Sequence, residues 1–113
     1  DWNMVLDRQG GPNWVKNWCV APVIVDPDAD EVYFTPLYYT MVHFSRYIRP
    51  GAVRIGHSST DEELMVTAVR NPDSSIVVVV LNQNDQPKAL NLTLEGKTLS
   101  LAIDRKALQT IVL

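Results

Sequence analysis

Residues 10–18 read GGPNWVKNW, a stretch that combines Trp14 and Trp18 with Asn13 and Asn17 and holds Lys16 as its only charge. Trp2-Asn3 repeats the pairing a few residues upstream. A sugar ring offers an axial C–H face that stacks on an indole and hydroxyls that need paired polar partners, so tryptophan beside asparagine is a natural carbohydrate-contact set. The alternative is that Trp14 and Trp18 plug the loop onto a core, and for any single tryptophan that is the commoner role.

Glycosidic chemistry needs two carboxylates, about 5–5.5 Å apart for retention or about 6.5–9.5 Å apart for inversion. Asp1, Asp7 and Asp26 lie in or near the aromatic loop, but no pocket motif accompanies them. Asp28, Asp30 and Glu31 read as a solvated turn, and Asp61-Glu62-Glu63 as an exposed loop between strands. No convincing acid/base pair results. His43 and His57 are the only histidines, without a second ligand at metal spacing, and no serine or cysteine motif joins them. Cys19 stands alone between Trp18 and Val20-Ala21-Pro22, an apolar setting that raises a thiol pKa and disfavours a nucleophile. No metal and no cofactor are expected.

Composition narrows the remaining classes. In 113 residues, 46% hydrophobic and 20% charged content is that of a globular domain rather than a disordered chain. A net charge of −3, with no run of lysine or arginine, argues against a nucleic-acid partner. No apolar run approaches the roughly 20 residues of a membrane span, so stable membrane insertion is not expected. The compartment stays open.

The elements that would position these residues divide near Pro50-Gly51. Before that point lie every tryptophan, tyrosine and phenylalanine; after it come aliphatic runs separated by turns. Leu64 to Arg70 alternates as a strand does, Asn71 to Ser75 is a turn, and the β-branched run Ile76 to Leu81 fits a central strand buried on both faces. Leu90, Leu92 and Leu94, then Leu99, Leu101 and Ile103, repeat at period two, and Leu108 to Leu113 closes the chain. With Val53 to Ser58 these make five or six antiparallel strands, the signature of a β-sandwich layer.

Ahead of the division, Ala21 to Val25 reads as a short strand and residues 36–48 as a helix. Thr35 suits its N-cap, Pro36 its first position, and Leu37, Met41, Phe44 and Ile48 a buried stripe. Six aromatics between Tyr33 and Tyr47 give this segment more apolar surface than one loop could cover. Either the helix caps the sandwich or it needs a larger partner.

Three runs, WNMVLDRQGGPNWVKNWCVAPVIVD, EVYFTPLYYTMVHFSRYIRPGAVRI and SSIVVVVLN, together resemble the C-terminal part of a glycoside hydrolase family 30 enzyme of the glucosylceramidase type. They cover nearly the whole chain, in order. The resemblance implies a fragment of a multidomain protein, α/β followed by all-β. Residues 1–50 would be the last strand end, long active-site loop and final helix of a (β/α)8 TIM barrel, and residues 51–113 a C-terminal antiparallel β-sandwich.

The resemblance further implies a retaining β-glycosidase acting on β-glucosides, plausibly glucosylceramide, with Trp2, Asn17 and Trp18 lining the sugar pocket at the C-terminal face of the barrel. Its catalytic glutamates would lie on earlier barrel strands, so this chain alone would be inactive and its partners would be a carbohydrate or glycolipid substrate and the N-terminal remainder of the same enzyme. A secreted or lysosomal-type location would follow if the full protein carries a signal peptide. Val20 stands where the glucosylceramidase type carries an aspartate, which leaves the aglycone preference open. The rival expectations are a free-standing carbohydrate-binding sandwich using Trp2, Trp14 and Trp18, and a purely structural domain.

Overall fold

A computed structural model describes residues 2–13, 15, 16 and 18–113; the expectations for Trp14 and Asn17 fall outside the described residues. The chain forms two units, Asp1–Val42 and His43–Leu113.

The first unit is built on a small mixed sheet of β1 (Val5–Asp7), β2 (Val23–Asp26) and β3 (Glu31–Phe34). β2 is central. It runs parallel to β1, with Val5 opposite Val23, and antiparallel to β3, with Val23 opposite Phe34. The expected Ala21–Val25 strand is thus found two residues later, because Ala21 and Pro22 are occupied elsewhere: their carbonyls accept the Thr35 hydroxyl at 3.2 and 3.1 Å. β2 and β3 join through residues 27–30, where Asp30 takes a left-handed φ of 54° that aspartate tolerates better than most residues. β1 and β3 carry too few residues to show a period in the sequence.

The helix α1 spans Pro36–Ser45. Thr35 starts it through its carbonyl, which accepts the Tyr38 N–H at 3.0 Å, whereas its hydroxyl is spent on the Ala21 and Pro22 carbonyls rather than on the first helical N–H groups. One further α-type bond, from Ile48 N–H to Phe44 O at 2.9 Å, follows its regular end. The chain then turns at Arg49-Pro50-Gly51-Ala52, with Pro50 at the second position and Gly51 at φ 86° in the third, which is type II turn chemistry. The expected stripe is not buried: no helical residue is, and Leu37 and Phe44 stay 39% and 38% exposed. The spacing is right, but this chain lacks the surface that would cover it.

The second unit contains six strands. β4 (Val53–Arg54), β5 (Leu64–Arg70), β6 (Ile76–Asn82) and β9 (Ala107–Val112) form an antiparallel sheet in the order β4-β5-β6-β9, and β7 (Lys88–Leu94) pairs with β8 (Lys97–Ile103) as a separate hairpin. β4 is shorter than the Val53–Ser58 run suggested. After Ile55, whose N–H still reaches Ala68 O at 3.0 Å, the chain leaves the sheet at Gly56. The β7–β8 turn is Glu95-Gly96 with φ of 49° and 77°, the two-residue geometry that matches the twist of antiparallel strands.

β6 has partners along both edges and apolar layers on both faces, as its unbroken β-branched sequence requires. Ile76, Val78 and Val80 join Leu64, Ala68, Leu90, Ile103 and Ile111 in the core between the sheet and the hairpin. Val77 and Val79, on the opposite face, pack with Val69 and are covered by Tyr47, Ile48, Ala52 and Leu108. Alternation therefore sends successive valines into two different cores.

Polar side chains close the strand ends. Asn82, fully buried, donates to Gln86 O and Asp104 O at 2.9 and 3.0 Å and accepts from the Asn84 N–H. Asn71 accepts the Arg49 N–H and donates to Tyr47 O, each at 3.0 Å, which ties the segment after α1 to the β5–β6 turn.

Candidate functional site

The aromatic loop leaves the sheet at Asp7, the last residue of β1, and returns to it at Val23. Its base is a set of backbone bonds around one carboxylate. Asp7 Oδ1 accepts the N–H groups of Gln9 and Gly11 at 2.9 and 2.7 Å, while the Asp7 N–H donates to Gly11 O at 2.8 Å and the Gly10 N–H to Asp7 O at 3.0 Å. Aspartate followed by Gly-Gly suits this fold, because its short side chain reaches its own downstream amides. Gly10 has φ 76°, and a Cβ there would lie 2.6 Å from Cys19 O and 2.7 Å from Cys19 N. Both glycines are buried, so the two ends of the loop meet at close quarters where only glycine fits.

A second clip joins β1 to β2. Their parallel register puts Asp7 opposite Val25, so the next residues, Arg8 and Asp26, are cross-strand neighbours, and Arg8 Nη1 donates to Asp26 Oδ2 at 2.8 Å. Asp26 is 6% exposed and its other oxygen accepts the N–H groups of Asp28 and Ala29 at 3.2 and 3.3 Å. The Arg8 bond, helped by those amides and opposed by burial, holds the Asp26 carboxyl below the usual carboxylate range; the same bond raises the Arg8 guanidinium pKa. On β3 the Tyr33 hydroxyl donates to Glu31 Oε2, and that bond raises the phenol pKa.

Asp7 and Asp26 are therefore scaffold groups with their oxygens engaged. The absence of an acid/base pair in the sequence is matched by the geometry of these two. The Asx-turn signal of Asp7 before Gln-Gly-Gly was available in the sequence; the Arg8–Asp26 pair, 18 residues apart, becomes visible only through the register of β1 and β2.

Of the expected sugar contacts, Trp2 is 93% exposed and Trp18 71% exposed. Each precedes one of two parallel, in-register strands, so both lead into the sheet from the same edge. The plugging alternative does not describe Trp18. Asn17 lies outside the described residues, and no cavity brings Trp2 and Trp18 together: the two largest hollows described, about 850 and about 300 Å³, are lined by second-unit residues alone. The larger is walled mainly by aliphatic side chains such as Val66, Val78, Leu90 and Leu92, which suits apolar cover rather than a sugar.

Elsewhere the polar groups have structural partners. His43, expected to be structural or solvent-facing, is half-buried, with Nδ1 2.8 Å from Thr110 Oγ1, and that hydroxyl lies 3.3 Å from His43 O. Asp61 and Glu63, expected as a free acidic loop, flank the Lys88 ammonium, with Asp61 Oδ2 at 3.2 Å. The Glu63 N–H first, and Lys88 second, hold the Asp61 carboxyl low, and Glu63 followed by Asp61 raises Lys88. Among the described residues no group of histidine, cysteine, aspartate and glutamate could hold a metal ion, and no helix is long and apolar enough to cross a membrane.

An aromatic loop and helix followed by a two-layer antiparallel sandwich is the arrangement of a barrel glycosidase near its sandwich domain. Residues 1–48 match the glycosyl hydrolase family 30 TIM-barrel domain and residues 51–111 the family 30 beta sandwich domain. The chain belongs to glycosyl hydrolase family 30. It is similar to the lysosomal acid glucosylceramidase of Mus musculus, 40% identical over 94 residues, which are 82% of this chain and 18% of that protein. The crystal structure of SrfJ from Salmonella typhimurium is 34% identical and superposes with a TM-score of 0.96 over 100% of this chain and 25% of its own. A solved endo-β1,6-glucanase is 26% identical, with a TM-score of 0.86 over 96% of this chain and 25% of its own. The chain thus spans about a fifth to a quarter of the length of these relatives.

Proposed function

We propose that this chain is the C-terminal part of a retaining β-glycosidase that hydrolyses β-glucosides, with glucosylceramide as the lead substrate. The observation that carries this is the match of two family 30 domains, in order, along one chain. The similarity to the mouse glucosylceramidase supports glucose as the sugar, and Val20, where an aspartate is expected for that type, leaves the aglycone side distinct. Residues 1–50 act as the last strand end, active-site loop and final helix of the barrel, and 51–113 as the sandwich.

In this reading Trp2 and Trp18 stack on the sugar and Asn17 bonds a hydroxyl at the rim. Their exposure on one edge of a small sheet supports the role of the tryptophans. One glutamate of the remainder of the enzyme attacks the anomeric carbon and another protonates the leaving oxygen, then activates water against the glycosyl-enzyme intermediate. This chain binds and shapes; it does not carry the reacting carboxylates. Alone it is inactive, and its partners are the substrate and the N-terminal part of the enzyme. The uncovered helix stripe and the exposed β3, whose Val32, Tyr33 and Phe34 all face outward, favour this over a self-contained binding module.

The test is hydrolysis of an aryl β-glucoside by the full-length polypeptide, with the first-formed anomer followed by NMR. Initial β-glucose is expected. Initial α-glucose, or equal turnover by this 113-residue chain alone, would contradict the proposal.

A further inference from the structure

We infer that Asp7 is a positioning residue for substrate binding: its carboxylate braces the GGPNWVKNW loop in the form that presents Asn17 and Trp18 to the sugar. The inference rests on the reading of that loop as the rim of a glycoside site. It follows from an arrangement in which one side chain controls both ends of a loop through backbone contacts alone.

Asp7 Oδ1 accepts two amides, those of Gln9 and Gly11, so the direction of the chain as it enters the loop is set by one oxygen. Gly11 O returns a bond to the Asp7 N–H, which closes the turn on itself. Gly10, held inside that turn, presses against the backbone of Cys19, the residue directly after Trp18. Moving the carboxylate therefore moves Gly10, and with it the exit of the loop. No apolar core does this work, since Val15, Lys16, Trp18 and Val20 are all exposed. The other carboxylate oxygen marks how tight the packing is: a Cβ on Gly11 would sit 2.8 Å from Asp7 Oδ2.

The chemistry required of Asp7 is acceptance of N–H groups by Oδ1, and neither proton transfer nor a formal charge enters. Asparagine can keep that acceptor; alanine cannot. Gly11→Ala attacks the same brace from the other side, by displacing the carboxylate while leaving Asp7 in place.

The experiment uses the full-length enzyme with an aryl β-glucoside, together with trypsin cleavage after Lys16, read as the fragment that begins at Asn17. Asp7→Ala is expected to raise KM about tenfold, with kcat changed by less than about twofold, and to speed the Lys16 cut. Asp7→Asn should restore both readouts to near the unmodified enzyme, and Gly11→Ala should reproduce the KM effect even if Asp7→Ala fails to fold. A reduced folded fraction alone would lower apparent kcat and leave KM unmoved. Unchanged KM in Asp7→Ala or Gly11→Ala, while Asn17→Ala raises KM, overturns the brace and leaves the rim reading standing. Unchanged KM in Asn17→Ala and Trp18→Ala removes the rim reading, and the inference with it.

Discussion

β2 and β6 are both central strands with hydrogen-bonded neighbours on each edge, yet only β6 is buried along its length. β6 brings its cover with it, because the aliphatic strands of residues 43–113 fold over one face and Tyr47, Ile48 and Leu108 cover the other. β2 lies in a unit whose buried apolar side chains, among the described residues, are few, Leu6 and Ala21 foremost, while Trp2, Trp18, Phe34 and Tyr39 remain exposed. The first unit holds its loops with carboxylates and backbone amides instead. Hydrophobic cover is cooperative and tolerant of detail; a brace of two or three directed bonds fixes a loop but depends on single atoms.

That difference sets an order of expected effects. Ile103, 1% exposed in the sandwich core, should lose about 2–5 kcal/mol of stability on replacement by alanine, read as a lower urea midpoint, with KM unaltered. Leu6→Ala in the first unit should cost less, because fewer apolar neighbours pack there; an equal loss would erase the distinction between the units. Asn71→Ala removes the acceptor for the Arg49 N–H and the donor for Tyr47 O, and should cost about 1–3 kcal/mol by the same measurement.

Sequence pattern reached the second unit well and the first unit poorly, for physical reasons. The valines of β6 and the alternating leucines of β7 and β8 reveal their strands because burial there is periodic. β1 and β3, at three and four residues, are too short for a period. Thr35 was legible as a helix start but not as a donor to Ala21 and Pro22, since that bond depends on tertiary placement. Trp2 and Trp18 were legible as exposed candidates through residue type. Asp7 appeared only as an unplaced carboxylate, and its amide contacts give it meaning.

Acid should sharpen the comparison further. A carboxylate whose folded-state pKa is depressed adds stability that is present above its unfolded pKa and lost as pH falls through its folded pKa. Asp26, lowered chiefly by its bond from Arg8, follows that sign, as does Asp61, lowered chiefly by the Glu63 N–H. The stability gap between the unmodified protein and Asp26→Asn should therefore be open at neutral pH and close on acidification. A gap that widened in acid would mean that the Arg8 clip does not act through the ionised carboxylate. The smallest effect belongs to the His43–Thr110 contact, where Thr110→Val should cost about 0.5–1.5 kcal/mol and leave KM alone.

The central claim is that the first unit contacts substrate and the second supplies the scaffold. Its most direct test is kcat/KM for an aryl β-glucoside, measured on full-length Asn17→Ala and Ile103→Ala enzymes at equal concentrations of folded protein. The account predicts that Asn17→Ala lowers kcat/KM up to about tenfold with its melting temperature unchanged, while Ile103→Ala melts earlier at unaltered kcat/KM. Unchanged kcat/KM in Asn17→Ala, or a loss confined to Ile103→Ala, would contradict it.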